Sequence, residues 1–258
     1  MLKIRFLGTG TSQGVPVIAC PCEVCHSTDE HDKRLRTSAL VEVDGRNILI
    51  DAGPDFRQQL LRENITQLDA ILITHEHKDH IGGLDDVRAI NYVSGKAIDI
   101  YAEDRVLRAI KSDFAYAFAY LRYPGVPKMS LHTIADNAFT VAGGIEVIPI
   151  RVMHMRLPVY GYRIGRLSYI TDANYIADSE IEKMKGSEIL VINALRKKKH
   201  LSHYTLDEAL ELAAKVQAKA SYLTHISDQM GLYAKVEKQL PPGVHLAYDG
   251  LQLTINNL

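Results

Sequence analysis

The sequence has no excess of charge of either sign, no long apolar run and almost no cysteine, and each absence narrows the field. Lys+Arg is 30 and Asp+Glu is 31, a formal net charge of −1. A general polyanion binder would show a basic excess. Nucleic acid is therefore not expected as a partner, although a local basic groove is compatible with this balance. No apolar stretch approaches the roughly 18 residues that span a membrane. The opening MLKIRFLGTG lacks the apolar length and the small-residue cleavage site of a signal peptide. A soluble, cytoplasmic protein with no membrane partner is expected. No low-complexity linker or domain break divides the 258 residues, and 47% of them are hydrophobic. That suffices for a sizeable core, so a single domain over 1–258 is expected.

The three cysteines, Cys20, Cys22 and Cys25, are confined to CPCEVCH. An odd number in one tight cluster is not a disulfide framework. Three thiols converging fit metal binding better, the alternative being a reduced, partly buried cluster without metal.

Apolar runs with β-branched character recur between turn signals, among them KIRFLG, SALVEVDGRNILID, DAILIT, AIDIYA, SEILVINA and ASYLTHI. Asp44-Gly45 and Gly165-Arg166 have the character of hairpin turns. Helical patterns lie at Phe56–Arg62, Asp104–Tyr120, Ser179–Lys185 and Thr205–Val216. In the last, Leu206, Ala209, Leu210, Ala213 and Val216 share one face, and Thr205 with Glu208 forms a capping-box pattern. Within Asp104–Tyr120, the four-residue spacings of Phe114/Phe118 and Tyr116/Tyr120 point to core or lid packing. An internal echo links VEVDGRNILIDAG to YGYRIGRLSYITDAN. Each is a hairpin whose second strand ends in Asp-Ala (Asp51, Asp172), followed by a helical stretch and another apolar strand. Two such halves suggest an α/β fold of two packed sheets with helices outside, a four-layer αββα sandwich.

The stretch THEHKDH, Thr74 to His80, follows the apolar run AILI. It holds three of the chain's 11 histidines within six residues. His75 and His77, one residue apart at an extended strand end, can face one way. Asp79 and His80 fall on the following turn, and the IGG beyond permits tight backbone. Imidazole and carboxylate suit Zn, Fe or Mn-type ions. Two metal sites need further ligands, and His154, Asp172 and His225 each follow an apolar run as His75 does. A lone residue at such a place is more often a cap or turn residue; three in the same position shift the balance toward ligands.

This pattern resembles the metallo-β-lactamase fold superfamily, over almost the whole chain from about Ile4. The resemblance implies that His75, His77 and His154 hold one metal and that Asp79, His80 and His225 hold a second. Asp172 would bridge them, and Asp51 would orient the ligand loop without being a ligand. With Asp at 79 and 172, the resemblance is to the phosphodiesterase and tRNase Z side of the superfamily. FLGTGTSQGVPV, CPCEVC and THISDQMG together look like the phosphoribosyl 1,2-cyclic phosphate phosphodiesterase family of bacterial carbon–phosphorus lyase pathways. That family binds a structural zinc in a cysteine insert, here at about 18–36, implying Cys20, Cys22 and Cys25 as ligands. The family's fourth ligand is a histidine; this chain has Asp228 there. Asp can ligate zinc, and Asp228 is preferred over His26, another neighbour or no zinc. GTGTSQG lacks the spacing of a phosphate-binding loop and is expected to be a tight turn bringing backbone near the metals.

The resemblance implies two active-site divalent ions (Zn or Mn) and one structural Zn. Two ions about 3.5–4 Å apart can share a hydroxide and clamp a phosphodiester. His203, before the Thr205 helix, corresponds to a family histidine that stabilises the phosphate or protonates the leaving group; otherwise it is a helix-start turn residue. Asp79 joins it in the catalytic set. RKKKH (Arg196, Lys198 and His200 within it) and Arg156 are candidates for gripping a second phosphate, the alternative being a solvated basic turn. The expected reaction is hydrolysis of a small cyclic phosphodiester, 5-phospho-ribose 1,2-cyclic phosphate by resemblance, with a small phosphorylated sugar as the bound partner. Alternatives are a tRNase Z-like nuclease, whose long tRNA-grasping arm is not evident, and a non-catalytic metal-binding member. A homodimer is left open.

Overall fold

The structure, a computed structural model, describes residues 1–121 and 123–256. The first half contributes β1 (Leu2–Gly8), β2 (Ser38–Val43), β3 (Arg46–Ile50), β4 (Ala70–Leu72), β5 (Ile98–Ala102) and β6 (Met129–Thr133). The second contributes β7 (Phe139–Val141), β8 (Ile145–His154), β9 (Leu157–Ile164), β10 (Leu167–Tyr169), β11 (Tyr175–Ile176), β12 (Ile189–Asn193), β13 (Ala220–Thr224) and β14 (Val244–Leu246); β15 (Gln252–Ile255) returns to the first sheet. The strand orders are β15-β1-β2-β3-β4-β5-β6 and β11-β8-β9-β10-β12-β13-β14, with β7 paired to β8. The helices are α1 (Phe56–Arg62), α2 (Lys78–Ile81), α3 (Val87–Ser94), α4 (Asp104–Asp113), α5 (Ala115–Phe118), α6 (Asp178–Met184), α7 (Leu206–Val216) and α8 (Tyr233–Val236).

Side-chain alternation builds the layers. Along β1, Leu2, Ile4 and Phe6 face the second sheet, while Leu7 faces the helices. Along β3, Ile48 and Ile50 face inward and Leu49 outward. Along β12, Ile189 and Val191 enter the inter-sheet core, while Leu190 and Ile192 meet α6 and α7. Strands apolar at every position are those buried on both faces, and this accounts for the uninterrupted runs ILI and ILVI. Three apolar clusters, one between the sheets and one beneath each helical layer, make the four-layer αββα sandwich.

The internal echo is a structural repeat. β3–α1–β4 and β10–α6–β12 are both parallel crossovers, with Ile48 opposite Ala70 and Leu167 opposite Ile189. Both hairpins turn in two residues, Val43 pairing with Arg46 and Ile164 with Leu167. Two helical expectations are corrected. Asp104–Tyr120 is not one helix: Phe114 leaves the helical region at φ −112°, ψ 37°, α5 is a single turn, and Ala119 is extended. Phe114 and Phe118 turn into the helical layer's core, while Tyr116 and Tyr120 are exposed. In α7 the buried face carries Leu212, and Leu210 lies at its edge. Among the described residues, the longest stretch between strands is 9–37, which carries the three cysteines and a short 3-10 turn at Glu30–Asp32. No helix among them is long and apolar enough to cross a membrane.

Candidate metal centre and active site

β4, β8, β10 and β13 all end at one rim, and the loops beyond them carry the chemistry. Three of the residues there adopt the left-handed region that L side chains rarely occupy: Asp51 (φ 62°), Asp172 (φ 55°) and His225 (φ 55°). Such conformations cost of order 1–3 kcal/mol each and persist where the surroundings enforce them. Asp51 and Asp172 occupy the same place in the two repeats. The loop after β4 is packed so tightly that a Cβ on Gly53 would lie 2.0 Å from the Asp79 carbonyl oxygen, and one on Gly83 would lie 2.0 Å from that of Gly53.

Asp51 is fully buried and accepts from the Thr74 amide (2.8 Å), the Thr74 hydroxyl and His80 Nδ1 (2.7 Å). With its Nδ1–H given to Asp51, His80 turns a lone pair at Nε2 into the site. The same arrangement recurs. His75 Nδ1 donates to Thr74 Oγ1 (3.0 Å), whose own proton goes to Asp51. His154 Nδ1 donates to the Ser202 carbonyl (2.9 Å). His225 Nδ1 donates to Thr37 Oγ1 (3.1 Å), whose proton goes to the Gly10 carbonyl. His75, His80 and His154 are thus held in the tautomer that turns Nε2 toward the site, the state a metal requires, whereas His225 Nδ1 also lies 3.2 Å from Asp172 Oδ2 and its Nε2 lies 3.4 Å from Thr11 Oγ1. His77 uses its other nitrogen: Nδ1 lies 2.9 Å from His75 Nε2, two ligand atoms facing one point. The His154 ring is 5.2 Å from that of His77 and 5.7 Å from that of His75, centroid to centroid.

His80 Nε2 lies 3.2 Å from Asp79 Oδ2 and 3.2 Å from Asp172 Oδ2, and it is a buried atom with no hydrogen-bond partner among the described residues. Two carboxylates facing one ring nitrogen in a buried place call for positive charge between them, either a proton on His80 or a metal cation that displaces it. Burial pulls the His80 imidazolium down, but Asp79, Asp51 and Asp172 together more than offset it and push its pKa well above the ordinary value. Burial opposes ionisation of Asp79 and Asp172 too. His80 beside Asp79, and His225 and His80 beside Asp172, nevertheless hold both carboxyls below their usual range. Burial dominates elsewhere, lowering His75 and His154 and pushing His225 down to about 4. Neutral His75, His154 and His225 with ionised Asp79 and Asp172 are donors that divalent ions bind, and His80 joins them when a cation displaces its proton. Asp79, His80 and His225 converge, as do His75, His80 and Asp172 and also His154, Asp172 and His203, so that Asp172 joins two groups, while His77 enters none of them.

His203 is the exception in tautomer. Its Nε2 is 2.9 Å from Asp172 Oδ1, and its Nδ1 faces the Ser202 hydroxyl at 2.9 Å. It therefore carries a proton, not a lone pair, on the nitrogen that faces the site. His200 stands behind it, its Nδ1 accepting from the Ser202 amide at 3.3 Å and lying 3.2 Å from His203 Nδ1.

Cys20, Cys22, Cys25 and Asp228 form a separate cluster with all four ligand atoms within 4.8 Å of one another. Asp228 Oδ2 is 3.6 Å from both Cys20 Sγ and Cys22 Sγ. His26 is exposed and bonds the Cys22 carbonyl, so of the two candidates for a fourth ligand it is Asp228 that joins the thiols. The Cys25 backbone amide lowers Cys22, while burial pushes the Cys25 thiol up to about 12.

The basic candidates are scattered. Arg196 is spent on its own loop, donating to Gln229 Oε1 (2.7 Å) and to the Lys198 and Lys199 carbonyls. Lys198 is exposed, and His200 points to Ser202 and His203. Arg156 is exposed in the β8–β9 turn beside His154. Sequence reasoning did not single out Thr37, Thr74, Ser202 or Asn193, whose side chain bonds the Ala173 amide and carbonyl and so pins the backbone beyond Asp172. A signal existed for Thr74 alone: LITH, YITD and YLTH each place a threonine between an apolar strand and a ligand-type residue.

Comparison with known proteins agrees with this geometry. The pattern of the beta-lactamase superfamily domain matches residues 46–226. A crystal structure described as a new diphosphatase from the PhnP family superposes with a TM-score of 0.92 at 42% identity, covering 99% of this chain and 98% of that one. An octanoyltransferase of Porphyromonas gingivalis is 46% identical over 258 residues, 99% of this chain and 52% of its own length. A ribonuclease Z of Thermosynechococcus vestitus is 31% identical over 167 residues, 63% of this chain and 36% of its own. The chain thus spans about half or less of the length of these two curated relatives.

Proposed function

The chain belongs to the beta-lactamase superfamily, and from that premise we propose that it is a dinuclear metal-dependent phosphodiester hydrolase acting on a small phosphorylated substrate. The observation that carries this reading is the buried His80 Nε2, which lies between two carboxylates with no hydrogen-bond partner among the described residues, while Nδ1 of His80 is tied to Asp51 and Nδ1 of His154 to the Ser202 carbonyl. His75, His77 and His154 would hold one ion, Asp79, His80 and His225 the other, and Asp172 both. When bound, such a pair lowers the pKa of water and draws charge from phosphate oxygens. The chain's own residues supply the rest. Asp51 and Thr74 fix the ligand rings, and Gly53 and Gly83 let the Asp79 loop close. His203, whose Nε2–H rests on Asp172 Oδ1 at 2.9 Å, would turn that proton to the oxygen that leaves phosphorus. A proton delivered there contributes typically 10²–10⁴-fold. Cys20, Cys22, Cys25 and Asp228 would hold a structural zinc.

We take 5-phospho-ribose 1,2-cyclic phosphate as the substrate, supported by the stretches shared with that family. A phosphoanhydride is the second reading, favoured by the name of the 42% identical diphosphatase. The ribonuclease reading has less support: the charge is even, and among the described residues the longest stretch between strands is the cysteine insert rather than an arm. The octanoyltransferase name describes a protein about twice as long, and octanoyl transfer is not assigned to this chain. Metal-loaded protein should hydrolyse the ribose cyclic phosphate with kcat/KM far above that for bis(p-nitrophenyl) phosphate. Higher kcat/KM on a diphosphate would move the assignment to the second reading. Activity on the generic diester alone would remove the ribose assignment while keeping the chemistry.

A further inference from the structure

Glu76 stands between His75 and His77, and nothing in the chemistry above uses it. Its carboxylate pairs with Arg105, the second residue of α4, and its other oxygen, Oε2, is buried with no hydrogen-bond partner among the described residues. Arg105 also donates to the Pro158 carbonyl (2.8 Å) and to Glu103 Oε2 (3.3 Å). Pro158 lies on β9 beside Leu157, which pairs with His154 across the hairpin. Glu103 in turn accepts from Arg151 of β8 (3.3 Å), which also holds Asp136 (2.7 Å). A chain of alternating charge, Glu76–Arg105–Glu103–Arg151–Asp136, thus runs from the His75–His77 segment to the hairpin that carries His154.

We propose that Arg105 is a positioning residue for one metal ion: it clamps the Glu76 segment against β9 and so sets how far His75 and His77 stand from His154. This rests on the two-metal reading above. The physical argument is that these three histidines come from different halves of the molecule. His75 and His77 follow β4 of one sheet, and His154 ends β8 of the other. Sheet packing alone positions them only as well as apolar contacts allow. A guanidinium fork gripping a carboxylate on one side and a carbonyl on the other adds direction as well as attraction. Asp79, His80 and His225 do not lie in this clamp. His80 is oriented by Asp51 and His225 by Thr37, neither of which belongs to the clamp.

The test is stepwise Co(II) binding to the full-length apoprotein, followed by visible absorption and by chelator competition. The thiolate site is distinguished by its own charge-transfer band. Arg105→Met is expected to weaken one of the two histidine–carboxylate ions by tenfold or more, to alter only that ion's spectrum, and to leave the other unchanged. Arg105→Lys, which keeps the charge and loses the fork, should fall between. Arg108→Met is the control, since Arg108 on the same helix is exposed and pairs with Asp104 of its own helix. If Arg105→Met binds both ions as the wild type does, or weakens both equally together with a lower Tm, the clamp is overturned and the two-metal reading stands. If wild-type protein binds no such pair, both fall.

Discussion

Asp51 meets His80 at Nδ1 and reaches His75 through Thr74, and the first contact decides which nitrogen of His80 faces the site. Asp51→Asn preserves shape but replaces one acceptor oxygen with a donor, which no longer suits three donors. Metal affinity measured by chelator competition should fall 10–100-fold; unchanged affinity would show that the tautomer is held by other means. Gly53→Ala tests the loop itself. A methyl group 2.0 Å from the Asp79 carbonyl must displace that backbone, and the ion held by Asp79 should be lost before the protein unfolds. At this scale the ligands were legible and their supports were not. His75, His77, Asp79 and His80 announce themselves by proximity in sequence. Thr37 reaches His225 from 188 residues away, and Ser202 reaches His154 from 48. Such partners have no local signature, since a threonine or a backbone carbonyl is an acceptor anywhere.

Helix α7 sets the approach to His203, because its first turn follows directly on that residue. Its capping box is complete: Thr205 accepts from the Glu208 amide, and Glu208 accepts from the Thr205 amide at 2.9 Å. Thr205→Ala should cost about 1 kcal/mol in chemical denaturation. Burial opposes the Glu208 charge, but Lys199 and Thr205 hold its carboxyl below the ordinary 4.5. A lowered pKa in the folded state gives stability that is present above the ordinary value and lost as pH falls through the folded one. The Tm gap between wild type and Glu208→Gln should therefore shrink on acidification below about pH 4.5; a gap that widens would contradict this. The cap was readable because its signal spans four residues. The break at Phe114 was not. A helix-compatible run there yields to tertiary packing, which draws Phe114 into the core and leaves Tyr120 outside.

Across the whole molecule, two repeated β-β-α-β units face each other, and the candidate ligands come from both. The echo between Asp51 and Asp172 was visible in sequence because each hairpin, strand and acid recurs in order. The inter-sheet contacts that bring the halves together were not visible, since apolar runs specify burial rather than partner. A site shared between halves should also hold them together. Ions at 100 times their Kd stabilise a fold by about 2.7 kcal/mol, so chelation should lower Tm by roughly 5–10 °C. Metal analysis should find three ions per chain in the wild type and two in Cys22→Ser, which keeps its hydrolytic activity. Two ions in the wild type would remove the cysteine site from the account. The central claim is that hydrolysis needs the paired site. Its most direct measurement is bis(p-nitrophenyl) phosphate hydrolysis by apoprotein with the cysteine site filled, titrated with Zn or Mn. The account predicts activity that reaches its plateau only at the second equivalent and is absent throughout in Asp172→Ala; full activity at one equivalent, or in Asp172→Ala, would contradict it.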